Sequence, residues 1–172
     1  MLISYQNRPP HIYSDNSFYF LTARTLKGIY FFNTDSKKKI LLNVIRKALE
    51  RYNCDLYAWV ILSNHYHLLL KIKLGKELSS LIKNIHANSS RILNIYQACP
   101  SRKIWWNYWD KCIETPKSYY THLNYIHHNP VKHGYTKNMK DYKFSSYRHY
   151  LKTQGKEWLE DSFCAYPVIT KN

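Results

Sequence analysis

An α+β sandwich is predicted by two observations. Short segments rich in aromatic and β-branched residues recur along the chain, and the stretches between them carry apolar residues at helical spacing. The 172 residues match the length of one ordinary domain, so a single domain over 1–172 is expected, with a core at about 17–130 and a C-terminal extension over 131–172.

The polar lead-in carries Pro9-Pro10, and the first strand is read from Ser17 to Leu26. Asp35-Ser36 then caps a helix to about Tyr52, in which Ile40, Leu41, Val44, Ile45, Ala48 and Leu49 fall at steps of three and four. Strands at Leu56–Leu62 and His65–Lys73 follow, joined by the short polar link Ser63-Asn64. A second amphipathic helix fits Glu77–Gln97. Leu78, Leu81, Ile82, Ile85, Ile92, Leu93 and Tyr96 form its apolar side, and Lys83, His86, Asn88 and Arg91 take the other. Pro100 ends it, and Lys103–Cys112 reads as an aromatic strand. The order β-α-β-β-α-β is that of a ferredoxin-like sandwich, one antiparallel sheet with two helices on one face.

Thr115-Pro116 starts a third helix, since Thr caps well and Pro suits the first helical position. Pro130 is expected to end it near His128, with Gly134 allowing a sharp turn. Beyond that, Tyr142, Phe144, Tyr147 and Tyr150 among Lys143, Arg148 and Lys152 suggest one short basic helix and an irregular tail.

Lys and Arg outnumber Asp and Glu by 26 to 11, a formal charge of +15 that points to a polyanionic partner. The 17 Tyr and 5 Trp interleave with these cations, the combination that single-stranded nucleic acid uses, although many rings must be core. Cys54, Cys99, Cys112 and Cys164 are irregularly spaced, without a C-x-x-C pair, and read as reduced. With no apolar run near the ~20 residues of a membrane span and no secretory segment, a cytoplasmic protein is expected.

Chemistry is concentrated at His65-Tyr66-His67. Strand side chains alternate faces, so the two imidazoles point one way and Tyr66 the other. Their flanks, Ala58–Leu62 and Leu68-Leu69-Leu70, are apolar enough for an interior strand, where polar rings need a partner. Two adjacent imidazoles can hold a divalent cation; equally, paired strand histidines often only hydrogen-bond their neighbours. On the third helix Tyr119, Leu123 and Ile126 form the buried stripe, while Tyr125 and Asn129, four apart, share a flank with Ser118 and His122. A phenol and an amide are thus presented together toward the sheet.

The His-Tyr-His strand, the segment Ile104-Trp105-Trp106-Asn107-Tyr108-Trp109-Asp110 and the run Tyr125-Ile126-His127-His128-Asn129-Pro130-Val131-Lys132-His133-Gly134 together resemble the REP-associated tyrosine transposases of the HUH single-strand DNA transposase superfamily. The likeness runs from about Phe18 to Tyr147, with Lys132-His133 where relatives often have Arg-Ala. It implies that His65 and His67 bind a divalent metal, Mg²⁺ or Mn²⁺, with Asn129 as third ligand and Tyr125 as nucleophile. His127 and His128 are further candidates for that ligand set. It also implies cleavage and rejoining of single-stranded hairpin DNA of the REP type through a 5′-phosphotyrosine. A monomer is favoured over a homodimer.

Physical chemistry agrees with the residue types. A phenol of pKa ~10 must lose its proton as it attacks, and a cation on the scissile phosphate withdraws charge. Two neutral imidazoles and an amide hold Mg²⁺ weakly, so the DNA phosphate is expected to complete the site. Arg24, Lys83, Arg91 and Arg102 are candidate backbone contacts, and Trp105, Trp106 or Tyr108 candidate stacking platforms. Two other readings compete: a non-catalytic binder of single-stranded nucleic acid, and a water-activating nuclease, which the lack of carboxylates around His65 disfavours.

Overall fold

The structure, a computed structural model, describes residues 13–168; the Pro9-Pro10 lead-in lies outside them. Four strands, β1 (Ser17–Thr25), β2 (Cys54–Ile61), β3 (His65–Ile72) and β4 (Trp105–Ile113), form one sheet in the order β2-β3-β1-β4. Every neighbouring pair is antiparallel. Helices α1 (Asp35–Arg51) and α2 (Leu78–Tyr96) connect the strands in the expected alternation. The chain continues into α3 (Pro116–Lys132), α4 (Tyr147–Thr153) and α5 (Lys156–Ala165).

Burial along β3 shows how the layers lie. From His65 to Leu70 every residue is buried, which an alternating strand achieves only when both sheet faces are covered. Tyr66 faces α2, its hydroxyl 3.1 Å from His86 Nε2, whereas His65 and His67 face α3. The first two helices therefore cover one face and the tyrosine-bearing helix the other.

Three local expectations are corrected. The N-cap of α1 is Thr34, whose hydroxyl accepts from Lys37 N–H at 3.4 Å, and Asp35 sits within the first turn. Helix α3 runs through Pro130 to Lys132, because so close to the end the ring forfeits only one backbone bond. The turn still closes: His133 N–H donates to the Asn129 carbonyl at 3.1 Å and Tyr135 N–H to that of Pro130 at 2.9 Å, with Gly134 at φ +71°. The C-terminal segment forms two helices, α5 docking on α3 where Asn124 Nδ2 donates to the Ser162 and Tyr166 carbonyls.

Trp105, expected on an accessible aromatic segment, belongs instead to the core, and His86, expected on the polar side of α2, is half-buried against it. Their rings stack at 4.5 Å and 10°, Trp105 lies against Phe32, and its indole N–H donates to Ser89 Oγ at 2.9 Å. The cause is a register shift between Arg24 and Thr25. Asn107 pairs with Arg24 but Trp105 with Thr25, which sets Trp105 against the α1/α2 layer.

The segment after Gly134 is also tied to the sheet. Ser145 bridges Val60, the Tyr142 hydroxyl donates to the Ile61 carbonyl at 2.7 Å, and Ser146 Oγ accepts from Trp59 N–H at 3.0 Å. All four cysteines are free, and among the described residues no helix is long and apolar enough to cross a membrane.

Candidate active site

The site lies between the first residues of β3 and the last two turns of α3. Asn64 shapes its floor: its Nδ2 donates to the Gly28 carbonyl at 3.2 Å, which turns Oδ1 toward His65 Nδ1, 2.7 Å away. An amide oxygen only accepts, so Nδ1 of His65 carries the proton and Nε2 presents a lone pair. That Nε2 stands 3.1 Å from Asn129 Oδ1, another acceptor. His67 is held in the same manner: Nδ1 meets Thr22 Oγ1 at 2.8 Å, while its fully buried Nε2 has no partner.

Buried acceptors facing one another without a donor are costly in a fold, and a cation relieves them. The donor set therefore fits a metal: two imidazole nitrogens whose rings are oriented by outer hydrogen bonds at Nδ1, and an amide oxygen. Both imidazoles are held neutral, as ligation requires. Burial, then the His133 ring, pushes His65 down to about 4; burial, then His65, drives His67 well below its ordinary value. Among the described residues no group of three or more His, Cys, Asp or Glu side chains is assembled to hold a metal, so an amide is needed to complete this set.

Tyr125 adjoins the pair. Its ring stands edge-on to His67 with centroids 5.2 Å apart, and Phe20 packs against both. Phe20, Thr121, His122, Tyr125 and Val168 line a small cavity of about 190 Å³. The expected flank of α3 is thus real: Tyr125 and Asn129 reach the histidines, and His122 packs on Phe20 at 4.5 Å while its Nδ1–H donates to the Ser118 carbonyl. Its neighbours in sequence point elsewhere. His127 is fully buried against Ser146 Oγ at 3.0 Å, and His128 borders a separate cavity with Lys137 and Tyr147.

Two neighbours escaped the sequence reading. Lys132 Nζ lies 4.9 Å from the Tyr125 ring centroid, and the His133 ring is 4.9 Å from His65. Their signal was the spacing: Lys132 is two helical turns beyond Tyr125 and His133 one turn beyond Asn129.

The candidate DNA contacts separate. Arg24 pairs in register with His65, so both project from the same face of the sheet, and its side chain is exposed. Lys83 and Arg91 are exposed on α2, across the sheet from the histidines. Arg102 is engaged within the fold, donating to Asn94 Oδ1 at 3.3 Å and Gln97 Oε1 at 2.5 Å and lying 4.8 Å over Phe31. Trp105, being core, is no stacking platform, whereas Trp106 is exposed.

The pattern of the family described as "Transposase IS200 like" matches residues 24–129, which include His65, His67, Tyr125 and Asn129. The chain belongs to the IS200-like transposase family. It is similar to the REP-associated tyrosine transposase of Escherichia coli strain K12, at 30% identity over 132 residues that cover 70% of this chain and 76% of that protein. The solved structure of a REP-associated tyrosine transposase bound to a REP hairpin shares the fold, with a TM-score of 0.73, 24% identity and 88% of each chain covered.

Proposed function

We propose that the chain cleaves and rejoins single-stranded hairpin DNA of the REP type, with Tyr125 as nucleophile and His65, His67 and Asn129 holding Mg²⁺ or Mn²⁺. The observation that carries this reading is the convergence of the unpartnered His67 Nε2, the His65 Nε2 lone pair and Asn129 Oδ1 beside the Tyr125 ring. The REP hairpin bound by the structural relative supports the choice of substrate.

The Tyr125 hydroxyl attacks the scissile phosphorus. A bond forms between its oxygen and phosphorus, the bond from phosphorus to the 3′ oxygen breaks, and the phenolic proton passes to solvent. The products are a 5′-phosphotyrosine and a free 3′-OH; attack by another 3′-OH reverses the exchange, so the phosphodiester energy is conserved and no nucleotide cofactor is needed. A bound divalent cation would withdraw charge from the phosphate as the transition state forms. Lys132 Nζ, 4.9 Å from the Tyr125 ring centroid, brings a positive charge beside the place where the DNA phosphate must arrive. Asn64 keeps His65 in the tautomer that offers Nε2, and Thr22 Oγ1 anchors the His67 ring through its Nδ1.

The test is a labelled hairpin oligonucleotide incubated with the protein and Mn²⁺, then resolved under denaturing conditions. A protein–DNA adduct that disappears in Tyr125→Phe supports the reading. Cutting without an adduct assigns a hydrolase, and binding without cutting assigns a non-catalytic binder; either result overturns it.

A further inference from the structure

The site is assembled from two elements, and the polar contact between them is an unfavourable one. His65 opens β3 and Asn129 lies near the end of α3, yet His65 Nε2 and Asn129 Oδ1 meet at 3.1 Å as two acceptors. Such a contact does not hold its carriers together, so the brace must come from elsewhere.

Tyr135, just past the turn at Gly134, supplies one. Its N–H donates to the carbonyl of Pro130, the residue after Asn129, at 2.9 Å. Its hydroxyl accepts from the N–H of Ser63, shortly before His65, at 3.3 Å. A single residue thereby ties the end of α3 to the turn between β2 and β3. Ser63 is 4% exposed, so its amide relies on that hydroxyl. The same turn is gripped a second time from the C-terminal segment: Ile61 N–H donates to the Phe144 carbonyl at 2.9 Å, and the Tyr142 hydroxyl donates to the Ile61 carbonyl at 2.7 Å.

The three rings of this segment gather around one cation. Lys38 of α1 is 6% exposed, and its Nζ lies 5.9 Å from the Tyr135 centroid, 5.9 Å from that of Tyr142 and 5.6 Å from that of Phe144. Tyr135 and Tyr142 also meet edge-on at 5.8 Å. Asp35, on the same helix, is drawn outward to Lys143 at 3.6 Å. Burying an ammonium costs hydration, which the negative faces of the rings offset. A charge kept where an apolar side chain would pack at less cost indicates that the charge holds the rings in place.

We propose that Tyr135 is a positioning residue for the reaction: gathered with Tyr142 and Phe144 around Lys38, it fixes the end of α3 against the β2–β3 turn and so sets the spacing between Asn129 and the histidines across which the cation is held. The inference rests on the metal-dependent reading given above and names the brace on which that site depends. Tyr135 acts through the backbone of Pro130 and Ser63, and its effect therefore falls on cation affinity before it falls on DNA binding.

The test is calorimetric titration of Mn²⁺ in the presence of an uncleavable hairpin, together with adduct formation at limiting and at excess Mn²⁺. Tyr135→Phe is compared with Tyr66→Phe, which removes a buried hydroxyl on the other face of β3. Tyr135→Phe is expected to weaken Mn²⁺ about tenfold, as loss of an outer support to metal ligands does, with hairpin affinity in the absence of metal within about twofold of the wild type. Its adduct formation should be slow at limiting Mn²⁺ and recover as Mn²⁺ is raised, whereas Tyr66→Phe should bind Mn²⁺ as the wild type does. Lys38→Met, which removes the charge and keeps a long side chain, should weaken Mn²⁺ in the same direction by about threefold. Unchanged Mn²⁺ affinity in Tyr135→Phe, or an equal loss in Tyr66→Phe, overturns the proposal. Should Tyr135→Phe fail to fold, Lys38→Met decides, and wild-type Mn²⁺ affinity in that variant overturns it. A wild type that neither binds Mn²⁺ nor forms an adduct refutes the catalytic reading and this inference with it; a wild type that does both, beside a Tyr135→Phe that matches it, refutes the inference alone.

Discussion

Three consecutive residues of β3 leave the strand in opposite directions and meet different surroundings. On the α1/α2 side Tyr66 reaches His86, and both pack on Trp105, whose N–H is bonded to Ser89. On the α3 side His65 and His67 meet Asn129 and Tyr125, and the nitrogens and oxygen that converge there have no donor between them. Both faces bury imidazole. Only one satisfies it, and the unsatisfied face is the one in contact with the tyrosine helix. Polar groups buried without partners are where a fold sacrifices stability for chemistry.

The contrast is broken most severely by removing a histidine. His65→Ala and His67→Ala are each expected to reduce adduct formation on a hairpin probe at least ~1000-fold, as loss of a ligand to an essential cation does, with only a small change in the thermal midpoint. A midpoint that collapses together with activity would mean that this face, too, is structural.

Acid also acts on buried imidazoles outside the site. Burial lowers His86 and His127 to about 3, so the unfolded chain, whose histidines titrate near 6.5, binds more protons than the folded one between those values. Stability is therefore complete above about pH 6.5 and lost as pH falls toward 3, by about 2 kcal/mol per ring at pH 5. Denaturant unfolding at pH 7 and pH 5 measures it; His86→Gln should lose less on acidification than the wild type.

Tyr66→Phe removes one buried hydroxyl and leaves His86 Nε2 unpaired. The expected cost is about 1–3 kcal/mol in chemical denaturation, with adduct formation per folded molecule unchanged. The smallest effect is at the start of the tyrosine helix. The Thr115 hydroxyl accepts from Ser118 N–H at 3.1 Å, and Thr115→Ala should cost about 1 kcal/mol of stability while leaving the distant C-terminal turns, and cleavage, intact.

Much of this contrast was legible in the chain. Period-two alternation put His65 and His67 on one face and Tyr66 on the other, and four-residue spacing put Tyr125 with Asn129. Parity failed at β4, where one irregularity sent Trp105 inward and left Trp106 outside, because nothing in Ile104-Trp105-Trp106-Asn107 marks which residue the partner strand will skip. His86 was misplaced because a polar ring at the edge of a helical stripe goes inward once a hydroxyl across the interface is there to meet it. The supporting bonds from Thr22, Asn64 and Gly28 are tertiary, joining residues up to 45 positions apart, and no local pattern announces them.

The decisive measurement is calorimetric titration of Mn²⁺ into the wild type and His67→Ala, with and without an uncleavable hairpin oligonucleotide. One ion per wild-type chain, bound more tightly when the oligonucleotide is present, and no comparable binding to His67→Ala is the predicted result. Equal binding to both proteins would mean that the imidazole Nε2 atoms beside Tyr125 do not hold the cation.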